Sequence, residues 1–198
     1  MKTTINDTIE NTDSFCHLEA ERSNIYALLS ALLVAPIDSN LINIINNCNI
    51  DTDTWKVLKD NFNHTNLESL DDEYHRLFIG LGTGELLPYY SHYLAGCLMG
   101  KPLSNLRDDI RAMGLELQTT QKDPTDHIAG IFEVMRLSIS ELSLSLDQQK
   151  VFFEKNIASW VDNFFNDLSE IQEIKHYHLV AYFGQWFMQT ERKYLNLI

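Results

Sequence analysis

Apolar residues recur at three- and four-residue intervals along nearly the whole chain, the spacing of one face of an α-helix. Ile25, Leu28, Leu29 and Leu32 fit i, i+3, i+4, i+7. They predict a helix from about Phe15 that stops before Pro36, because the residue preceding a proline is pushed out of the helical region. Leu41, Ile44 and Ile45 predict a short second helix after Ser39, and Trp55, Leu58 and Phe62 a third. Leu67, Leu70, Tyr74, Leu77 and Phe78 predict a fourth, ended by Gly80. Gly80, Gly82 and Gly84 then mark a loop that runs to Pro88. A helix from about Tyr89 to Met99 follows and is broken by Gly100-Lys101-Pro102. The next ends at Met113, with Gly114 as its C-terminal stop.

Asp123 reads as an N-cap with Pro124 at the first helical position. The helix it opens buries Ile128, Ile131, Phe132, Met135, Ile139 and Leu142. Ile157, Trp160, Val161, Phe164 and Leu168 predict another, and Leu179, Phe183, Trp186 and Phe187 the last. No strand-like alternation of useful length, internal repeat or low-complexity tract interrupts this pattern. The expected fold class is all-α, a single globular helical domain over residues 1–198 with about eight to ten helices. Residues 115–122 are polar and form a loop or hinge between two helical halves. Such a hinge would permit two chains to exchange halves in a domain-swapped homodimer.

Composition narrows the function. The chain of 198 residues has a formal net charge of −13, with 15 basic residues that are scattered rather than clustered. A nucleic-acid footprint needs a basic stripe, so nucleic acid is not an expected partner. An acidic surface attracts basic partners, or serves solubility alone. Cys16, Cys48 and Cys97 are odd in number and far apart, which argues against a disulfide framework or structural zinc and fits a reducing cytoplasm. The polar N-terminal stretch lacks the apolar region of a secretory signal, and no later run is long enough to span a bilayer. The protein is expected to be soluble and cytoplasmic.

Several features invite chemistry. Gly80-Leu81-Gly82-Thr83-Gly84 suggests a phosphate-binding loop, but Glu85-Leu86 stand where Lys-Ser/Thr would be needed, and a helix rather than a strand precedes it. The alternative is a helix stop and a surface loop. Asp126-His127 suggests acid–base or metal chemistry. Equally, Asp126 would fall at the third helical position behind the Asp123 cap, where an acid complements the helix dipole. A metal would need further ligands on that face, and Glu133 is about two turns away. His176 and His178 diverge on a helix and suit a solvated or capping role. Tyr89, Tyr90 and Tyr93 cannot all face one core, so at least one is expected at the surface. No Ser/His/Asp or Cys/His arrangement is visible, and no catalytic residue, metal ligand or cofactor is assigned.

Taken in order, these segments resemble the TorD/DmsD family of redox-enzyme maturation chaperones. Glu73, Tyr74, Leu77, Phe78 and Gly80 match the family's acidic-aromatic-Leu-Phe helix end and Gly loop. Pro88, Tyr89, Ser91 and Tyr93 match its Pro-Tyr-x-Ser-x-Tyr helix start, and Pro124, Asp126 and His127 its acidic-Pro-x-Asp-His motif. Asp123 stands where Glu is usual. The first sixty or so residues and the C-terminal third match in helical pattern only. The resemblance implies an all-helical, non-enzymatic cytoplasmic chaperone, monomeric or dimeric. Its implied partners are the twin-arginine signal peptide and the apoenzyme of a molybdenum-cofactor oxidoreductase, which it holds until the cofactor is inserted. It also implies site roles: Tyr74, Leu77, Phe78 and Tyr89 line an apolar groove, the Gly80–Gly84 loop lets a peptide approach, Asp126 faces a cation, and His127 bonds the peptide or positions the loop. Leu77 and Phe78 are equally open to a place in the core. A metal-dependent hydrolase on a helical scaffold and a nucleotide-regulated adaptor using the Gly loop remain as alternatives.

Overall fold

The computed structural model describes residues 3–80, 84–115 and 125–196, with side chains from Cys16 onward. The elements run α1 (Thr3–Val34), α2 (Ser39–Asn47), α3 (Asp53–His64), α4 (Leu67–Tyr74), a π-helical segment (His75–Ile79), α5 (Tyr90–Ala95), α6 (Lys101–Ala112), α7 (Ile128–Ser140), α8 (Leu146–Asn156), α9 (Val161–Glu170) and α10 (Tyr177–Asn196). Among the described residues there is no strand, only an isolated bridge between Tyr89 and His127. No helix of the described residues is long and apolar enough to cross a membrane. The expected hinge lies outside the described residues except for Leu115, as do the Asp123 cap and Pro124.

Local chemistry starts several helices. Asp38 accepts the Leu41 N–H at 2.8 Å and caps α2. Asn66 does the same for α4 through Ser69. Ser145 and Gln148 form a reciprocal capping box on α8. The apolar stripes then decide how the helices assemble. α1 packs most extensively along α7, and α10 lies against α9 and α3. Leu29, Leu32, Ile131, Phe132 and Met135 are fully buried. Tyr26 joins this seam to α10, its ring lying 5.7 Å from Phe132 and 4.8 Å from Phe187. α9 and α10 approach closely because Gly184 has no side chain: a Cβ there would collide with the Phe165 ring.

One buried ionic network crosses the bundle. Arg22 of α1 donates to Glu191 of α10, to Gln149 of α8 and to Glu19. Tyr26 also donates to Glu191, at 3.0 Å. Burial works against the guanidinium, but its bonds to Glu191 and the charges of Glu191 and Glu19 outweigh that and hold its pKa above the ordinary value.

The elements depart from the sequence pattern in five places. α1 begins at Thr3, not near Phe15. The expected Tyr89–Met99 helix is only Tyr90–Ala95, because Gly96 turns left-handed (φ 68°) and ends it. α8 was not visible in the pattern, since its buried residues include Gln149 and Asn156 while Val151 is exposed. Ile157 and Trp160 are buried, but in the turn between α8 and α9, and Leu142 lies past the end of α7.

Candidate functional site

α4 carries an acid on its buried face. Leu70, Glu73, Tyr74 and Leu77 share one stripe, and all four are buried. Glu73 finds its partners at the start of α10, a hundred residues away. Its carboxylate accepts the backbone N–H groups of Lys175, His176 and Tyr177 at 2.7, 2.9 and 2.6 Å. These are among the donors that a helix leaves without intrahelical partners, and the positive end of the helix dipole favours the carboxylate. His176 is buried here, not solvated: Nδ1 meets Asn61 Oδ1 at 2.8 Å and Nε2 meets Ser69 Oγ at 3.2 Å. Burial lowers its pKa, so the neutral ring is favoured.

Beyond α4 the helix widens into the π-helical segment and stops at Gly80, whose N–H donates to His75 O at 2.7 Å. The loop returns directly onto this end. Glu85 N–H donates to Arg76 O and Leu86 N–H to Leu77 O. Gly84 sits where a Cβ would collide with the Leu77 carbonyl oxygen and would lie 2.6 Å from the Phe78 carbonyl carbon. Gly84 therefore serves the loop's closure on its own backbone. Arg76 pairs with Glu85 at 2.6 Å across the same loop. Leu81, Gly82 and Thr83 lie outside the described residues.

The second segment joins the first through the isolated bridge. Tyr90 N–H donates to Asp126 O at 2.9 Å, and Ile128 N–H to Pro88 O at 2.8 Å. Asp126 is fully buried. Its Oδ2 accepts the Ser91 N–H at 3.0 Å, in the first turn of α5, and its Oδ1 has no hydrogen-bond partner among the described residues. Asp126 thus precedes its own helix and caps a different one. The N-cap of α7 is His127, whose Nδ1 accepts the Ala129 N–H at 3.2 Å. An accepting Nδ1 places the ring's proton on Nε2 in the neutral form. Two expectations are corrected by this placement. Asp126 is not the third residue of a helix capped at 123, and it is not exposed to face a cation.

The eleven expected site residues divide by burial. Tyr74, Leu77, Pro88, Ser91 and Asp126 are buried, so Tyr74 and Leu77 belong to the core and do not line an open groove. Phe78, Gly84, Tyr89, Tyr93 and His127 are half-buried, and Gly80 is exposed. None of Tyr89, Tyr90 and Tyr93 is fully exposed: Tyr90 packs under Trp160, and the other two keep an edge at the surface. The Tyr89 and His127 rings meet edge-on at 5.3 Å. Tyr93 leans on Trp160 and Phe164, and its hydroxyl donates to Asp167 at 2.9 Å. Burial, then that bond, raises its pKa well above the ordinary phenol value.

Cavities of about 400 and 630 Å³ lie elsewhere. The smaller runs between α6 and α8 beside Met113 and Val151, the larger between α1 and the α7–α8 turn beside Cys16 and Ser143. Among the described residues no three His, Cys, Asp or Glu side chains come together as a metal donor set. The residue whose role the sequence reading missed is Glu73, which entered only as part of a motif. Its signal was an acid on an otherwise apolar helical stripe, which requires a buried partner.

A model of the nitrate reductase delta subunit family matches residues 49–166, a span that contains both segments. The chaperone protein TorD of Vibrio cholerae is 27% identical over 130 residues, covering 61% of this chain and 59% of that protein. The Tat proofreading chaperone DmsD of Haemophilus influenzae is 28% identical over 116 residues, covering 58% and 56%. The match spans about three-fifths of the length of these relatives. A solved structure assigned as a redox enzyme maturation protein of Archaeoglobus fulgidus shares the fold, with a TM-score of 0.58 at 19% identity over 86% of this chain and 93% of that one.

Proposed function

Since the chain belongs to the nitrate reductase delta subunit family, we propose that it is a cytoplasmic chaperone for a molybdenum-cofactor oxidoreductase. It binds the twin-arginine signal peptide of the precursor, its apoprotein, or both. It thereby assists cofactor insertion and delays export until the client is mature. The observation that carries the reading is the bridge between Tyr89 and His127. It joins two segments 35 residues apart, through Asp126 and Ser91, and leaves the edges of Tyr89, Tyr93 and His127 at the surface of a chain with a net charge of −13. Half-exposed aromatics and an acidic surface complement a peptide that offers arginines and an apolar run. In this arrangement Phe78, Tyr89, Tyr93 and His127 contact the client. Tyr74, Leu77, Gly80, Gly84, Pro88, Ser91 and Asp126 set their positions.

The test is calorimetric titration of the full chain with a synthetic peptide carrying an Arg-Arg pair and a following Leu/Ala-rich run. Replacing both arginines by glutamine is expected to weaken binding by about tenfold or more, equivalent to about 1.4 kcal/mol. A His127→Ala variant that remains folded is expected to bind the intact peptide more weakly. Equal affinity for both peptides would remove the twin-arginine element from the reading.

A further inference from the structure

The end of α5 and the turn that follows it form an apolar exposed stretch adjoining these residues. Residues 94–100 are all exposed, and Leu94, Leu98 and Met99 show 45%, 45% and 56% of their surface. No charged residue interrupts Tyr93 to Gly100. Met99 has φ 70°, in the left-handed region that side-chain-bearing residues rarely adopt. It is held there by its N–H, which donates to the buried Ser91 Oγ at 2.9 Å. Ser91 is in turn fixed by its own N–H to Asp126 Oδ2. A chain of two hydrogen bonds thus runs from the buried Asp126 to the backbone of the exposed loop at Met99.

Acidic residues flank the loop on the α9 side, while Lys101 follows it at the start of α6. Tyr93, the residue before Leu94, donates its hydroxyl to Asp167. Asp167 and Glu170 lie three residues apart on the exposed face of α9. Neither is paired with a cation among the described residues, whereas Asp162 on the same helix is paired with Arg192. Tyr93 therefore separates an apolar shelf from two unpaired carboxylates.

We infer that this shelf is the docking surface for the apolar run of a twin-arginine leader, with the leader's cationic end on Asp167 and Glu170. The inference rests on the chaperone reading above and deepens it. It assigns contact to side chains that the family-like motif does not contain.

The experiment uses the full chain and the same Arg-Arg/Leu-Ala-rich peptide. The variant L94S/L98S/M99G removes the apolar surface while glycine keeps the positive φ. It is expected to retain the wild-type helix signal and unfolding midpoint and to bind the peptide about tenfold more weakly or worse. Leu94→Met/Leu98→Met is expected to bind as wild type, because the shelf offers area rather than a shaped pocket. Asp167→Asn/Glu170→Gln is expected to weaken binding at low salt, and to have no effect on the peptide whose arginines are glutamines. If wild type binds the peptide and the loop variant binds it equally, the docking inference falls and the chaperone reading stands. If wild type binds neither peptide, both fall. If the loop variant loses only a self-association of the wild type, with peptide affinity unchanged, the shelf belongs to a second copy of this chain and the inference is overturned.

Discussion

Glu73 ties α4 to a helix that begins about a hundred residues later. Its carboxylate takes three N–H groups at the head of α10. His176 and Tyr177 are buried, so water cannot replace the bonds to their N–H groups without opening the α4–α10 junction. Hydrogen bonds to a charged group contribute about 1.5–3 kcal/mol each, and a buried donor left without a partner costs about 1–3 kcal/mol. Glu73→Gln keeps one acceptor oxygen but turns an amide toward one donor and removes the charge from the helix end. The expected loss is about 2–3 kcal/mol. Glu73→Ala strands the two buried donors, the N–H groups of His176 and Tyr177, and about 3–5 kcal/mol is expected. A domain stable by about 5–15 kcal/mol would survive the first change and approach its limit with the second. Urea unfolding followed by far-UV circular dichroism reads the difference: with a slope of about 2 kcal/mol per molar, Glu73→Gln should lower the midpoint by about 1–1.5 M. Glu154→Gln, an exposed substitution on α8, is the control and should leave the midpoint unchanged. A Glu73→Gln midpoint indistinguishable from that control would refute the assignment of Glu73 as the clamp of α10.

The other predictions test separate parts of the molecule. Gly84→Ala places a methyl group against the Leu77 and Phe78 backbone and should cost about 1–3 kcal/mol, seen as a lower thermal midpoint. Arg22→Met leaves Glu191 buried and unpaired and should cost about 3–5 kcal/mol, whereas Arg22→Met/Glu191→Leu should recover most of it in the same urea assay. Burial favours the neutral His176 ring in the folded chain, while the unfolded imidazole titrates near about 6.5. Below that pH the unfolded state takes up the proton first, so this contribution is complete above about pH 6.5 and is lost as pH falls through the lowered folded value. A His176→Asn variant should therefore show a smaller drop in urea midpoint than wild type between about pH 7.5 and about pH 5.5. Equal drops would remove His176 from the pH response.

The helical class and the order of most helices were legible in the chain alone, because a 3.6-residue apolar period is a local property that each segment carries by itself. Trp55, Leu58 and Phe62 are buried as their spacing requires, and so are Ile128, Ile131, Phe132, Met135 and Ile139. α8 escaped because its interior face uses Gln149, whose amide bonds Leu144 O and Glu19, and Asn156, whose amide bonds Asp109. A polar residue that is buried and paired cannot be told from a solvated one by periodicity. The order of the two motif segments identified a family, yet the placement of their residues was not local. Asp126 lies where spacing suggests the third position of its own helix, behind a cap at Asp123, but its carboxylate reaches Ser91 instead. Glu73 likewise serves a helix about a hundred residues away. Exposed helix-end donors are satisfied by whichever acceptor the packed bundle brings within reach, and only the tertiary arrangement decides which that is. Sequence alone therefore determined which residues were chemically unusual. The packing decided that Glu73 and Asp126 hold other helices in place from within, while Tyr93 and the Leu94–Met99 shelf meet the solvent.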